Sequence, residues 1–225
     1  MNYVLQGIAR VASDRTLWPY VVKPVAYGSA AYLVLLIIGV AVVRPWVQRW
    51  AALFTDPMAA GAVSVGGWLM FALVWVFLSG VVFMTLNGIF AGFIWDKLSE
   101  RIEAEELGTV AKCPLTPVQT SLDMVGRVAL ATLVGFAGLL ASWMFPVVGP
   151  LVLVGGLALL DFTCGVYLRR GKRLGNQLVG VWKLPGALGF AVGAGLVTLI
   201  PFANVLLFPG LVVGGTRLAA RGLGR

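Results

Sequence analysis

Three stretches of this chain carry no charged side chain: residues 57–95 over 39 positions, then 128–160 and 184–216 over 33 each. A soluble helix interleaves polar positions on its wet face, so uncharged runs of this length belong in lipid. Residues 24–43 form a shorter apolar segment ahead of them, 20 residues long, enough for a spanning helix. The runs are continuous and do not alternate, which predicts helices and argues against an outer-membrane barrel. The expected fold is an all-α integral membrane protein, a single helical domain over residues 1–225.

Polar punctuation divides the pattern into elements. Residues 2–13 place Val4, Ile8 and Val11 at helical spacing with Arg10 off that stripe, which predicts a short interfacial helix. Asp14 or Thr16 is suited to cap the next helix, and Trp18-Pro19-Tyr20 supplies interfacial aromatics and a first-turn proline. The first span covers about residues 20–43 and should stop at Arg44-Pro45. Asp56-Pro57 reads as a turn or helix start, and the second span lies within 61–95. As one straight helix, the uncharged run there would reach about 58 Å, nearly twice the hydrocarbon core, so Asn87-Gly88 is the expected break. Residues 96–106 hold five of the nine acids, with Ile94, Leu98 and Ile102 every fourth position, which predicts an amphipathic helix projecting into water.

After a loop at 109–117, Asp123 and Arg127 stand at i and i+4, the spacing of a helical ion pair. The last two uncharged runs each carry prolines near the middle, Pro146 and Pro150 in one, Pro201 and Pro209 in the other. The arms 128–145, 151–168, 184–200 and 202–216 are 15–18 residues long, close to the lower limit for a crossing. Two readings stay open: hairpins that span, or hairpins that only dip into the bilayer.

Charge sets the sidedness. If both hairpins return to the side they left, fifteen of the seventeen lysines and arginines share one face, and only Arg44 and Arg49 lie opposite. That asymmetry places the termini in the cytoplasm. The formal charge of +8 then belongs to anionic lipid headgroups. Nucleic acid is not an expected partner, because the aromatics lie in or beside apolar runs and not on a basic soluble face. Histidine is absent and the two cysteines lack metal or redox spacing, which argues against His-based catalysis, a zinc site and any cofactor.

Several motifs in order resemble one family. Ile200-Pro201-Phe202-Ala203-Asn204, Phe208-Pro209 and Gly214-Gly215-Thr216-Arg217-Leu218 close the chain. Earlier stand residues 145–150 (FPVVGP), Asp161-Phe162, Arg169-Arg170-Gly171, Gly189-Phe190 and the acidic stretch 96–103. Together they are similar to the CysZ sulfate permeases and the related etoposide-induced membrane proteins. The resemblance implies two long spanning helices, two hemi-penetrating hairpins, a homo-oligomer and sulfate uptake across the bacterial inner membrane. Its Gly-Leu-Arg-Arg sulfate motif is replaced here by Thr16-Leu17-Trp18-Pro19, and its Pro-Phe before the acidic helix by Phe93-Ile94.

Arg15 and Lys23 are the nearest cations to the missing arginines and the candidate contacts for a small inorganic anion. Each also has a plainer reading as a headgroup-facing charge. Asn204 would cap the second hairpin arm or aim that helix's dipole at an anion. Asp161 is a candidate coupling carboxylate, a partner for Arg169 or Arg170, or a carboxylate placed near the interface. Glycines 186, 189, 193, 195, 210, 214 and 215 mark close helix contacts, with Gly189-x-x-x-Gly193 the familiar packing spacing. The function expected is anion transport without enzymatic chemistry. A non-transporting membrane scaffold or biogenesis factor of the same fold is the alternative.

Overall fold

A computed structural model describes residues 2–144, 148–198, 200 and 203–223, and all regular structure among them is helical. In chain order the helices are α1 Asn2–Ser13, α2 Pro19–Ala51, α3 Pro57–Leu107, α4 Pro117–Met144, α5 Val148–Arg169, α6 Leu174–Gly180, α7 Ala187–Thr198 and α8 Ala203–Leu223. Single 3-10 turns lie at Arg15–Leu17 and Val181–Lys183. Segments Arg15–Ala51, Pro57–Leu107, Pro117–Trp143 and Leu151–Arg169 are each long and apolar enough to cross a membrane.

The chain forms two compact units. One, Val22–Phe93, is an antiparallel pairing of α2 with most of α3. Its contacts run in register down the hairpin: Val47 against Gly67, Gly39 against Phe71 and Trp75, Gly28 against Asn87. Trp75 Nε1 donates to the Tyr32 hydroxyl at 2.7 Å, and Tyr32 also meets Phe83 edge-on. The outer faces keep large apolar side chains uncovered, among them Ile37 at 67% and Phe77 at 82% exposure. Such faces are stable only against lipid or another protein surface.

Two expectations fail in this unit. Arg44-Pro45 does not end the first helix; α2 runs on to Ala51 with Pro24 and Pro45 inside it. A proline's φ is already helical, so it removes one backbone bond, and a 33-residue helix absorbs that loss. Nor does Asn87-Gly88 break α3. Asn87 Nδ2 donates to the Phe83 carbonyl one turn back at 2.9 Å, and Gly28 leaves the asparagine its space. The Asp56-Pro57 start holds: Asp56 Oδ1 accepts from the Met58 amide at 3.0 Å.

The other unit contains α1, the turn at Arg15–Leu17, residues 94–107 of α3, and α4 to α8. Val4 and Val11 of the expected stripe are buried on α1 together with Gly7, while Ile8 is only partly buried. This stripe lies on α8, where a Cβ added to Gly7 would come within 2.8 Å of the Gly214 amide nitrogen. The crossing of α5 and α7 is equally close, since a Cβ on Gly195 would stand 2.8 Å from the Leu151 carbonyl oxygen. Gly155 and Gly195 make that crossing; Gly195 is among the glycines the sequence marked for close contact, and Gly155 is not. Leu159, Tyr167, Phe190, Leu211 and Leu218 fill the core beneath.

The hairpins differ from each other. Residues 145–147 lie outside the described residues, and the helix has resumed by Val148, so Pro150 sits in the first turn of α5. Helices α4 and α5, at 28 and 22 residues, outrun the 18-residue arms expected. In the second hairpin α7 has 12 residues, about 18 Å, well short of the hydrocarbon core. A 106° bend separates α7 from the Leu174–Lys183 segment, at Gly186 with φ +97°. Pro201 lies outside the described residues, and Pro209 falls inside α8 and not in the bend.

Candidate functional site

The end of α3 does not project freely into water. Leu98 and Ile102 are fully buried, in a cluster with Leu17 and Val213. Ser99 and Glu103, one turn apart on the same side, are buried with them. A carboxylate without solvent needs partners, and Glu103 has two. Arg169 Nε donates to its Oε2 at 2.7 Å, and Arg170 Nη1 to its Oε1 at 2.6 Å. The remaining Arg169 nitrogens reach Asp96 Oδ1 at 3.1 Å and Ser99 Oγ at 2.7 Å. Thr216 Oγ1 donates to Ser99 Oγ at 2.9 Å, tying α8 into the same network. Gly165 makes room for it: a Cβ there would stand 3.1 Å from Arg169 Nη1.

Glu106 extends the network to two further α8 arginines, Arg217 at 2.9 Å and Arg221 at 2.8 Å. Each of the five residues 214–218 that end the motif has a structural task. Gly214 and Gly215 let α1 and α5 approach, Thr216 and Arg217 join the polar network, and Leu218 is buried. Sequence reasoning offered Arg169 or Arg170 as one reading of Asp161's partner, and missed this assembly. The Ser99/Glu103 spacing and the Arg-Arg pair ending α5 were its available signals. Asp161 stands exposed on α5, eight residues before Arg169, which is about 12 Å along the helix axis, and neither arginine turns back to it.

The turn at Arg15–Leu17 is built differently. Asp14 Oδ1 accepts from the Thr16 amide at 3.0 Å and from its hydroxyl at 2.8 Å. Those bonds hold the Asp14 carboxyl below the usual carboxylate range. Arg101, from α3, enters from the side: its Nη2 donates to Thr16 Oγ1 at 2.8 Å, and Nε contacts Glu105 at 3.3 Å. Arg15 is exposed on this turn. Lys23 is also exposed but belongs to the unit Val22–Phe93, while Arg15 belongs to the other. Asn204 is the second residue of α8, and its side chain lies outside the described residues.

Asp123 and Arg127 make the expected pair at 2.7 Å. Asp123 also accepts from the Leu174 amide at 2.6 Å, at the start of α6. The two terminal nitrogens of Arg127 are buried and have no hydrogen bond among the described residues. They are donors with capacity to spare.

Long apolar helices, uncovered hydrophobic faces and an arginine-rich end stitched by carboxylates define a multi-pass α-helical membrane protein. The chain belongs to the sulfate transporter CysZ/etoposide-induced protein 2.4 family, whose model matches residues 3–209. No curated protein and no solved structure matches it.

Proposed function

We propose that this protein passes a small inorganic anion of the sulfate type across the bacterial inner membrane. The whole chain acts as one membrane domain, in a homo-oligomer with both termini cytoplasmic. Family membership over residues 3–209 supports the class, and the fifteen-to-two distribution of basic residues supports the orientation. The observation that carries the reading is the Arg101 guanidinium bound to Thr16, next to Arg15, at the turn where the family's arginines stand. A guanidinium suits a tetrahedral oxyanion, so cationic donors survive there although the motif does not. Arg15 and Lys23 contact the anion in this reading, Asn204 places the α8 N-terminus toward it, and Asp161 serves coupling.

One observation favours the alternative, a scaffold or biogenesis factor without transport. Thr16-Leu17-Trp18-Pro19 has no arginine, and Leu17 is fully buried as a packing residue. Sulfate uptake by the purified protein in liposomes separates the two. Uptake above protein-free vesicles is expected. The double variant R15Q/K23Q should lose at least about tenfold, the scale of one charge-assisted hydrogen bond, while it still inserts and assembles. Undiminished uptake in that variant would remove Arg15 and Lys23 from the path. No uptake of any anion by the wild type would leave the scaffold reading standing.

A further inference from the structure

Past the end of α5, the basic turn and α6 enclose an open pocket of about 500 Å³. Tyr167, Lys172, Asn176 and Lys183 are among the residues that line it, with Val179 and Leu184 among the apolar ones. None of the chain's nine aspartates and glutamates lines it. The ion pairs found among the described residues all use arginines, so neither lysine is neutralised by a carboxylate. Lys172 Nζ lies 5.9 Å from the centroid of the Tyr167 ring.

Lysines on a cytoplasmic loop usually face solvent and lipid headgroups at large. Tyr167 makes this pocket different. It is 1% exposed, and its hydroxyl is buried with no hydrogen-bond partner among the described residues. Bare backbone at Gly180 passes over it, where a Cβ would stand 3.3 Å from the Tyr167 oxygen. Burying a hydroxyl without a partner opposes folding. An acceptor brought by a ligand would remove that penalty.

We propose that this pocket binds a phosphate-type tetrahedral oxyanion carried on a larger body, the headgroup of an anionic phospholipid. The two ammonium groups flank the oxyanion, and the Asn176 amide and the Tyr167 hydroxyl donate to it. Its volume lies in the range of pockets that enclose organic ligands, and a bare inorganic anion would leave much of it to water. Val179 and Leu184 then meet the glycerol and upper acyl region. Basic pockets between helices at a cytoplasmic surface bind anionic headgroups in this way. The proposal stands apart from sulfate transport, since none of its four polar residues belongs to the Thr16 turn.

Thermal melts of the full chain in neutral detergent provide the test, with short-chain phosphatidylglycerol, short-chain phosphatidylcholine and inorganic phosphate as probes. Phosphatidylglycerol should raise Tm saturably, phosphate more weakly, and the net-neutral phosphatidylcholine not at all. The K172Q/K183Q variant should weaken phosphatidylglycerol binding at least about tenfold. The Y167F variant should keep or raise the unliganded Tm, because no bond within the protein is lost, and weaken binding about three- to tenfold. Phosphate binding as tight as the lipid's would overturn the headgroup assignment. Wild-type binding by K172Q/K183Q, or a fall in unliganded Tm on Y167F, would overturn the site.

Discussion

Glu103 joins two arginines through one fully buried carboxylate, while Arg221 pairs with Glu106 with half of its own side chain in solvent. These positions should respond very differently to loss of charge. Glu103→Gln leaves Arg169 and Arg170 without their shared counter-charge, and should cost about 3–5 kcal/mol. Arg221→Gln breaks an exposed pair and should cost at most about 1 kcal/mol. Denaturation of both variants in the same detergent checks the contrast; equal losses would mean that the network contributes little to folding. Only part of this site was legible in the sequence. The Asp123–Arg127 pair depends on spacing along one helix, and spacing is a property of sequence. The Glu103–Arg169 pair joins residues 66 apart, and no local pattern specifies which arginine a given acid will meet.

At the scale of elements, glycines decide which helices touch. Residues 7, 210 and 214 bring the α1 and α8 backbones together, and 155 and 195 do the same for α5 and α7. Gly7→Ala forces its Cβ to within 2.8 Å of the Gly214 nitrogen, so α1 must shift off α8. A loss of about 1–3 kcal/mol is expected, the usual range for overpacking, together with faster proteolysis at the N-terminus. Gly80→Ala is the control: it meets nothing within 4 Å, and should gain about 0.5–1 kcal/mol from helix propensity alone. A neutral Gly7→Ala would mean that α1 does not need this contact. The proline and asparagine misreadings share one cause. Breaker residues are judged against an average helix, but these helices run to 33 and 51 residues, and a long apolar helix in lipid keeps its backbone bonds at nearly any local cost.

For the whole molecule the question is which side each end occupies. In a cysteine-free background, Lys172→Cys should react with an impermeant reagent only from the cytoplasm and the exposed Gln48→Cys only from the opposite face. Labelling of both from one face would defeat the fifteen-to-two assignment. Helix lengths add a distinction that charge alone did not make. Helices α4 and α5 are each long enough to cross, whereas α7 at 12 residues is not, so the two hairpins need not enter the membrane to the same depth.

By itself, the sequence determined the solvent, the helical class, the amphipathic stripe of α1 and the family. Each depends on composition, on periodicity or on short motifs in order, all of which are local quantities. Tertiary structure alone decided that the acidic end of α3 is a packing surface, with Leu98 and Ile102 buried and Glu103 neutralised by α5. It also decided that Arg101 comes to Thr16, and that Tyr167 and Lys172 share a pocket with Lys183. The physical reason is the same in each case. Each arrangement depends on contacts made only when separate helices pack, and a buried charge such as Glu103 takes its meaning from the partner on another helix that compensates its lost water.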